Sequence, residues 1–171
     1  MSSFLFFIFI VNTNNNTTAN TKMAKYFKFE EFTKSATAKR LKIDNTPKDE
    51  TIINNINEVM EVMDKIRIYW TKYCEDKGYK HPQIVVNSGY RCEALNKAIN
   101  GAKRSAHKIG AACDFEAING RNNELYKVTQ EVLFNEGIRF DQLIDEYNMS
   151  WIHLGLKTLN NEQRSQIKKI V

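Results

Sequence analysis

The sequence predicts an α+β fold in which a small antiparallel sheet packs against helices. A long apolar stripe at helical spacing precedes the first strand, helices and strands then follow in mixed order, and the links late in the chain are tight. This order favours α+β over a parallel doubly wound sheet. The chain has 171 residues, 42% of them hydrophobic, which suits one compact domain with its own core.

The first residues differ in composition from the rest. An apolar run at residues 4–11 is followed by an Asn/Thr tract at residues 12–21. The run is too short to span a bilayer as a helix, and it lacks the basic start and small-residue cleavage site of a secretory signal. We expect residues 1–22 to be a disordered or signal-like extension and residues 23–171 to form the domain. A disordered or spurious extension, with translation starting at Met23, is favoured over an export signal.

The first half of the domain is predicted to be mainly helical. Short helical signals at Phe29–Phe32 and Ala36–Leu41 come first. Thr46 is then a suitable N-cap and Pro47 a suitable first residue for a long helix that stops at Gly78. Its apolar stripe, with alternating spacings of four and three, predicts a core-packing face. The members of the stripe are Ile52, Ile56, Val59, Met63, Ile66, Trp70 and Tyr73.

The second half alternates strands and helices. A strand at residues 84–86 leads into a turn that presents Arg91 at the end of the strand. The helices are predicted at residues 92–100, with Gly101 as the stop, and from an Asn122 or Asn123 cap to Gly137. The later strands are predicted at residues 111–117, 140–145 and 151–156, the last two antiparallel, and the tail at residues 160–171 is a strand or a short helix.

Strand alternation separates Asp114 from its neighbour Cys113. If the carboxylate faces a site, the thiol faces the core and is not a ligand. The three cysteines, at positions 74, 92 and 113, are odd in number and widely spaced. They predict neither a disulfide framework nor a Cys-x-x-Cys metal pair, and Cys74 beside the apolar stripe is expected to be inert.

Two histidines and one aspartate are candidate metal ligands. Two imidazoles and a carboxylate form the ligand set of a catalytic zinc with an open position, and a carboxylate in the strand around Asp114 is costly to bury unless it is paired. Simpler roles stay open on spacing alone, namely a solvated loop histidine for His107 and a hydrogen-bonded core histidine for His153. His81, the third histidine, is expected at the surface or in a cap.

At these residues the chain resembles a known family. The pattern Ser-x-His-x-x-Gly-x-Ala-x-Asp from Ser105 to Asp114, followed by Trp-Ile-His at residues 151–153, is similar to the zinc D-Ala-D-Ala carboxypeptidases and their relatives. Those relatives include phage L-Ala-D-Glu endopeptidases and vancomycin-resistance D-Ala-D-Ala dipeptidases. The likeness runs roughly from Phe27 to Leu156 and includes Ser-Gly-Tyr-Arg and Phe-Asp-Gln-Leu-Ile. It implies a Hedgehog/DD-peptidase-like fold whose sheet carries the zinc site.

The resemblance also implies roles for individual residues. It implies one Zn²⁺ per chain, held by His107, Asp114 and His153, with an open position for the water that attacks the substrate. Arg91 would act in catalysis and substrate binding by steadying the substrate carboxylate or the polarised carbonyl. Ser105 would contribute to substrate binding, and Trp151 would form a wall of the site.

The general base is where the sequence departs from the family. Many members carry an acidic residue three positions before the second histidine, but this chain has Ser150 there. In the branch it most resembles, a glutamate follows Phe-Asp-Gln-Leu-Ile after one residue, which is Glu146. If the strand continues that far, Glu146 shares a face with Gln142 while Asp145 points the other way. We therefore expect Glu146 to be the base, with Asp145 or a base-free binding protein as alternatives.

The resemblance implies a zinc metallopeptidase that acts on peptidoglycan stem peptides as a D-Ala-D-Ala carboxypeptidase. The alternatives are an L-Ala-D-Glu endopeptidase (an endolysin) and an inactive zinc-containing wall-binding module. The net charge of +5 is mild, and no nucleic-acid partner is expected. We expect a monomer without stable membrane insertion that acts at the bacterial cell wall, either exported or made by a phage in the host cytoplasm.

Overall fold

The computed structural model describes residues 25–171, so the predictions for residues 1–22 and for a domain start at Met23 lie outside it. The described chain has the predicted α+β architecture. Its four α-helices are α1 (Ala36–Leu41), α2 (Glu50–Lys77), α3 (Glu93–Ala98) and α4 (Asn122–Asn135). Its five strands are β1 (Ile84–Ser88), β2 (Ala112–Ala117), β3 (Gln142–Glu146), β4 (Trp151–Gly155) and β5 (Gln166–Ile170). Short 3₁₀ helices lie at Phe29–Phe32 and Ala106–Ile109.

The sheet has the strand order β1-β2-β4-β3-β5 and is mixed rather than purely antiparallel. Neighbouring strands are antiparallel except for β3 and β5, which run parallel. The parallel pair follows from the connection: β4 ends at Gly155, opposite the start of β3 at Gln142, and β5 begins beside that same residue. A local loop is therefore enough to bring the tail back as a strand.

Helix α2 forms one wall of the core. Five members of the predicted stripe are fully buried, while Ile52 and Tyr73 are partly buried. They pack against α4 and the inner face of the sheet, where Phe115, Ile152 and Leu154 are also buried. Burial of each large apolar side chain contributes about 1.5–3 kcal/mol, so this stripe is a main source of stability.

The predicted start of α2 at Thr46 is wrong, because the helix begins three residues later. Asp49 is the N-cap, and its carboxylate accepts hydrogen bonds from the backbone N–H groups of Thr51, at 2.7 Å, and Ile52, at 3.3 Å. A carboxylate at this position satisfies unpaired N–H groups of the first turn and favours the positive end of the helix. The Thr-Pro pair belongs to the preceding loop.

The predicted role of Gly101 as the stop of α3 is also wrong. Asn100 adopts the left-handed conformation (φ 54°), and α3 ends earlier, at Ala98. Gly101 is needed for close approach instead, since a Cβ there would lie 2.2 Å from Oδ1 of the buried Asn96. The Asn96 amide donates to the carbonyl of Ala102 at 3.1 Å. This packing anchors the loop that follows α3.

In residues 25–171, no helix is both long enough and apolar enough to cross a membrane.

Candidate metal centre

Antiparallel pairing of β2 and β4 brings Asp114 and His153 together. The two residues are direct cross-strand partners, so their side chains lie on the same face of the sheet. His107 comes from the 3₁₀ helix Ala106–Ile109, a segment for which the sequence predicted only a loop. All three side chains are buried, and within the described residues they form the one group of His, Cys, Asp and Glu side chains arranged to hold a metal ion.

The three donor atoms form a compact triangle. Asp114 Oδ1 lies 2.8 Å from His153 Nδ1 and 3.2 Å from His107 Nε2, and the two histidine nitrogens are 3.2 Å apart. Tetrahedral zinc with bonds of about 2.0–2.1 Å places its ligand atoms about 3.3 Å apart. The spacing of the donors and their chemistry therefore fit a zinc ion with three protein ligands.

The orientation of His107 is set by the backbone. Its Nδ1 donates a hydrogen bond to the carbonyl oxygen of Gly89 at 2.6 Å. A carbonyl oxygen can only accept, so Nδ1 carries the hydrogen and Nε2 presents its lone pair to the other donors. Burial lowers the pKa of His107, although the neighbouring Asp114 acts in the opposite direction. The imidazole is therefore neutral near pH 7, as metal binding requires.

Asp114 is held as a carboxylate. Burial by itself would raise the pKa of this group, but its interactions with His107 and His153 outweigh burial and lower the pKa well below the usual range. Its second oxygen, Oδ2, accepts a hydrogen bond from Arg91 Nη2 at 2.5 Å. Arg91 Nε also donates to Ser88 Oγ at 2.9 Å, so its guanidinium is fixed against the carboxylate.

Gly89 packs against the backbone of Phe32 and also orients His107 through its carbonyl oxygen. A Cβ at Gly89 would lie 2.3 Å from the carbonyl oxygen of Phe32, a backbone atom that cannot move aside cheaply. We expect Gly89→Ala to lower the free energy of unfolding by roughly 1–3 kcal/mol. It should also weaken zinc binding, because the Gly89 carbonyl orients His107. Urea unfolding and zinc titration measure the two effects.

Gly137→Ala is the matched control for this prediction. Gly137 has a positive φ of 61°, and a Cβ there meets no atom within 4 Å. The substitution strains the backbone at the end of α4, and we expect it to reduce stability without changing zinc affinity. Wild-type stability and zinc affinity in Gly89→Ala would contradict the assignment.

The two candidate carboxylates of β3 have different surroundings. Glu146 lies on the same face of the sheet as His153 and lines the cavity above the donors. Burial, and then the negative charge of Asp114, raise the pKa of the Glu146 carboxyl. Asp145 faces the other way, accepts a hydrogen bond from the backbone N–H of Met149 at 2.5 Å and lies 3.6 Å from Lys169 Nζ. Its contacts are those of a residue that stabilises the β3–β4 turn.

The donors lie at the base of a cavity of about 580 Å³. Ser105 and Trp151 line its walls, and the ring of Trp151 lies 5.0 Å from that of Tyr147. Ser150 lies outside the lining, and its hydroxyl donates to the Tyr147 carbonyl. The sequence interpretation assigned no role to several other polar residues of the lining, among them Arg104, Asp141, Tyr147 and Arg164. Asp141 was part of the Phe-Asp-Gln-Leu-Ile pattern, but no local signal connects the distant Arg164 to the site.

The remaining histidine and two of the cysteines, Cys74 and Cys113, do not face the centre. Cys113 is fully buried in the core on the opposite face of β2, and burial raises the pKa of its thiol well above the usual value. Cys74 is also buried in the core, and burial raises the pKa of its thiol. His81 is exposed before β1.

Comparison with known proteins adds one match. The family model described as Peptidase M15 matches residues 25–155, well over half of the chain. The match includes the three donors, Arg91 and Glu146, and it ends where β4 ends. No curated protein matches the chain.

Proposed function

The chain belongs to the peptidase M15 family, a family of metallopeptidases, and we propose that it is a zinc peptidase that hydrolyses peptidoglycan stem peptides as a D-Ala-D-Ala carboxypeptidase. The observation that carries the proposal is the buried triangle of His107, Asp114 and His153 at the base of a cavity. A carboxylate on the same face, Glu146, supplies the group that such hydrolysis needs beside the metal.

A bound zinc ion would act as a Lewis acid that activates water and polarises the scissile carbonyl. Glu146 would accept a proton from the attacking water and return it to the nitrogen of the leaving amine. A carboxyl whose pKa is raised suits this double task, because it is a stronger base toward the water proton and can still release that proton to the leaving nitrogen. Because Glu146 is not one of the three donors, its carboxylate would remain available to accept and release that proton.

Arg91 would have a positioning role and an electrostatic role. Its hydrogen bond to Asp114 Oδ2 turns the other oxygen of that carboxylate toward the two histidines. The guanidinium is mostly buried, with 15% of the side chain exposed, so its charge acts at short range in a weakly screened environment. It would stabilise negative charge that develops on the scissile carbonyl oxygen.

An L-Ala-D-Glu endopeptidase is the second candidate, and one observation favours it. The cavity is lined by both ends of β3, from Gln142 to Glu146, and so continues past the donors in both directions. A substrate that extends on both sides of the scissile bond would fill such a groove. For either activity we propose action at the bacterial cell wall as a monomer.

Product analysis by mass spectrometry tests the proposal. Purified peptidoglycan is incubated with the full chain, with a chelator, and with the chelator followed by excess zinc. We expect release of D-Ala that the chelator abolishes and zinc restores. A new carboxyl end at L-Ala would instead identify the endopeptidase. Binding to the wall without any product in the zinc-restored sample would contradict a peptidase and identify an inactive binding module.

A further inference from the structure

Three arginines line the cavity, and they differ in what they contact. Arg91 donates to Asp114 and Ser88. Arg164 forms a two-point pair with Asp141, with its Nε 2.6 Å from Oδ1 and its Nη2 2.9 Å from Oδ2. The Asp141 side chain is only 3% exposed, so this pair is part of the cavity wall. Both guanidinium groups therefore already have a carboxylate partner.

Arg104 is different from the other two. Among residues 25–171 its side chain has no ion pair within 4.0 Å and no hydrogen bond, and the residue is exposed while lining the cavity. A guanidinium presents several donors in a planar fork that matches a carboxylate. Arg104 thus offers the cavity an unpaired cation of the right geometry for an anionic group.

The backbone that carries Arg104 is well anchored. Ala102 to Ser105 forms a turn in which the Ser105 N–H donates to the Ala102 carbonyl at 3.0 Å. The same carbonyl accepts the Asn96 amide, and Lys108 Nζ donates to the carbonyl of Lys103 at 2.9 Å. The Arg104 side chain is exposed, and its point of attachment beside the cavity is held by these hydrogen bonds.

The loop borders one particular end of the cavity. A Cβ at Gly155 would lie 3.9 Å from the Cβ of Ala106, the residue that directly follows the loop, so the loop ends beside the last residue of β4. Gly155 is two residues beyond His153, a distance of about 7 Å along a strand. Glu146 and its partner Trp151 lie at the opposite end of β3 and β4. The cavity therefore has a cationic end and an acidic, aromatic end, with the donors between them.

We infer that Arg104 binds a free carboxylate of the peptide substrate, within about two residues of the scissile bond. This inference rests on the proposed function and deepens it, since it moves the binding of the substrate carboxylate from Arg91 to Arg104. For a peptide that ends in D-Ala-D-Ala, the group is the C-terminal carboxylate. The acidic end of the cavity would repel the same group, so the charge distribution also sets the direction in which the peptide lies.

Paired peptides that differ in one group test the inference. The probes are acetyl-L-Lys-D-Ala-D-Ala and its C-terminal amide, titrated into the zinc-loaded full chain carrying Glu146→Gln so that the peptides persist. We expect the acid to bind at least tenfold more tightly than the amide. Adding Arg104→Gln should remove that preference and leave amide binding unchanged, while Arg104→Lys should keep part of it. Calorimetry gives the dissociation constants, and mass spectrometry checks that the peptides are intact.

Arg40→Gln is the charge-matched control, because Arg40 is exposed on α1, lies outside the cavity and has no ion pair within residues 25–171. It should leave both dissociation constants unchanged. The inference is overturned if Arg104→Gln weakens the binding of acid and amide equally, or if it leaves the affinity for the acid unchanged. It is also overturned if the chain carrying Glu146→Gln alone prefers neither peptide or binds neither. If Glu146→Gln still cleaves the peptides, the same comparison is read from KM.

Failure of the inference can be told apart from failure of the proposed function. Acid-selective binding that depends on Arg104, together with no hydrolysis by the unsubstituted zinc-loaded chain, would remove the peptidase assignment and leave the carboxylate site. Hydrolysis by the zinc-loaded chain that is unaffected by Arg104→Gln would keep the peptidase assignment and remove the carboxylate site.

Discussion

Glu146→Gln is expected to lower kcat by about 10²–10⁴-fold while the zinc content stays at the wild-type level. The amide has nearly the shape of the carboxylate but cannot accept a proton from water. Glu146 lines the cavity on the face that carries His153, and it lies outside the ligand triangle. Steady-state kinetics on a D-Ala-D-Ala peptide and metal analysis of the same samples measure the two quantities.

Asp145→Asn is the matched control, because it changes the adjacent carboxylate in the same way. The Asp145 side chain points away from the cavity and stabilises the turn through the Met149 N–H and Lys169. We expect this variant to unfold at lower denaturant concentration and to keep most of its turnover. Full activity in Glu146→Gln, with loss of activity in a folded Asp145→Asn, would transfer the role of base to Asp145.

Asp114→Asn is expected to reduce zinc affinity by at least 100-fold and to remove activity with it. Asp114 is the only anionic member of the ligand triangle, and its two oxygens contact His107, His153 and Arg91. The neutral amide also leaves the mostly buried Arg91 guanidinium without its counter-charge. Removing one partner of a buried ion pair costs on the order of 3–5 kcal/mol, so the metal-free variant should also be less stable. Zinc titration and urea unfolding test both effects.

Asp141→Asn separates loss of a ligand from loss of a buried charge. Asp141 is as buried as Asp114 and is paired with Arg164, but it lies outside the ligand triangle. We expect this variant to lose stability and to bind zinc with unchanged stoichiometry. Equal zinc affinity in Asp114→Asn and in the wild type would rule out Asp114 as a ligand.

Local patterns in the sequence were enough to predict much of the fold. The apolar stripe of α2 is buried as predicted, and Gly78 ends that helix in the left-handed conformation. Alternation along β2 correctly placed Cys113 in the core. These features depend on residues a few positions apart, for which helical and strand periodicity are reliable guides.

The wrong predictions concern features that are set by competing local signals or by contacts between distant residues. Thr46 and Asp49 both suit an N-cap, and the structure uses the aspartate. Glycine is a residue type that commonly ends a helix, but at position 101 it is required because a Cβ would overlap the side chain of Asn96. The direction of β5 depends on which neighbour it joins, and only its parallel pairing with β3 makes the sheet mixed.

The sequence by itself determined the α+β class, the types of donor available and the faces on which the strands present them, because each depends on neighbouring residues. Tertiary structure decided which donors meet: His107 and His153 are 46 residues apart, yet their nitrogens lie 3.2 Å from each other. It also decided which arginines are already paired, since Asp114 holds Arg91 and Asp141 holds Arg164 across 23 residues of chain in each case. Charge pairing over such separations depends on how the chain folds back on itself, so only the structure distinguishes Arg104 as the cavity arginine without a carboxylate partner among residues 25–171.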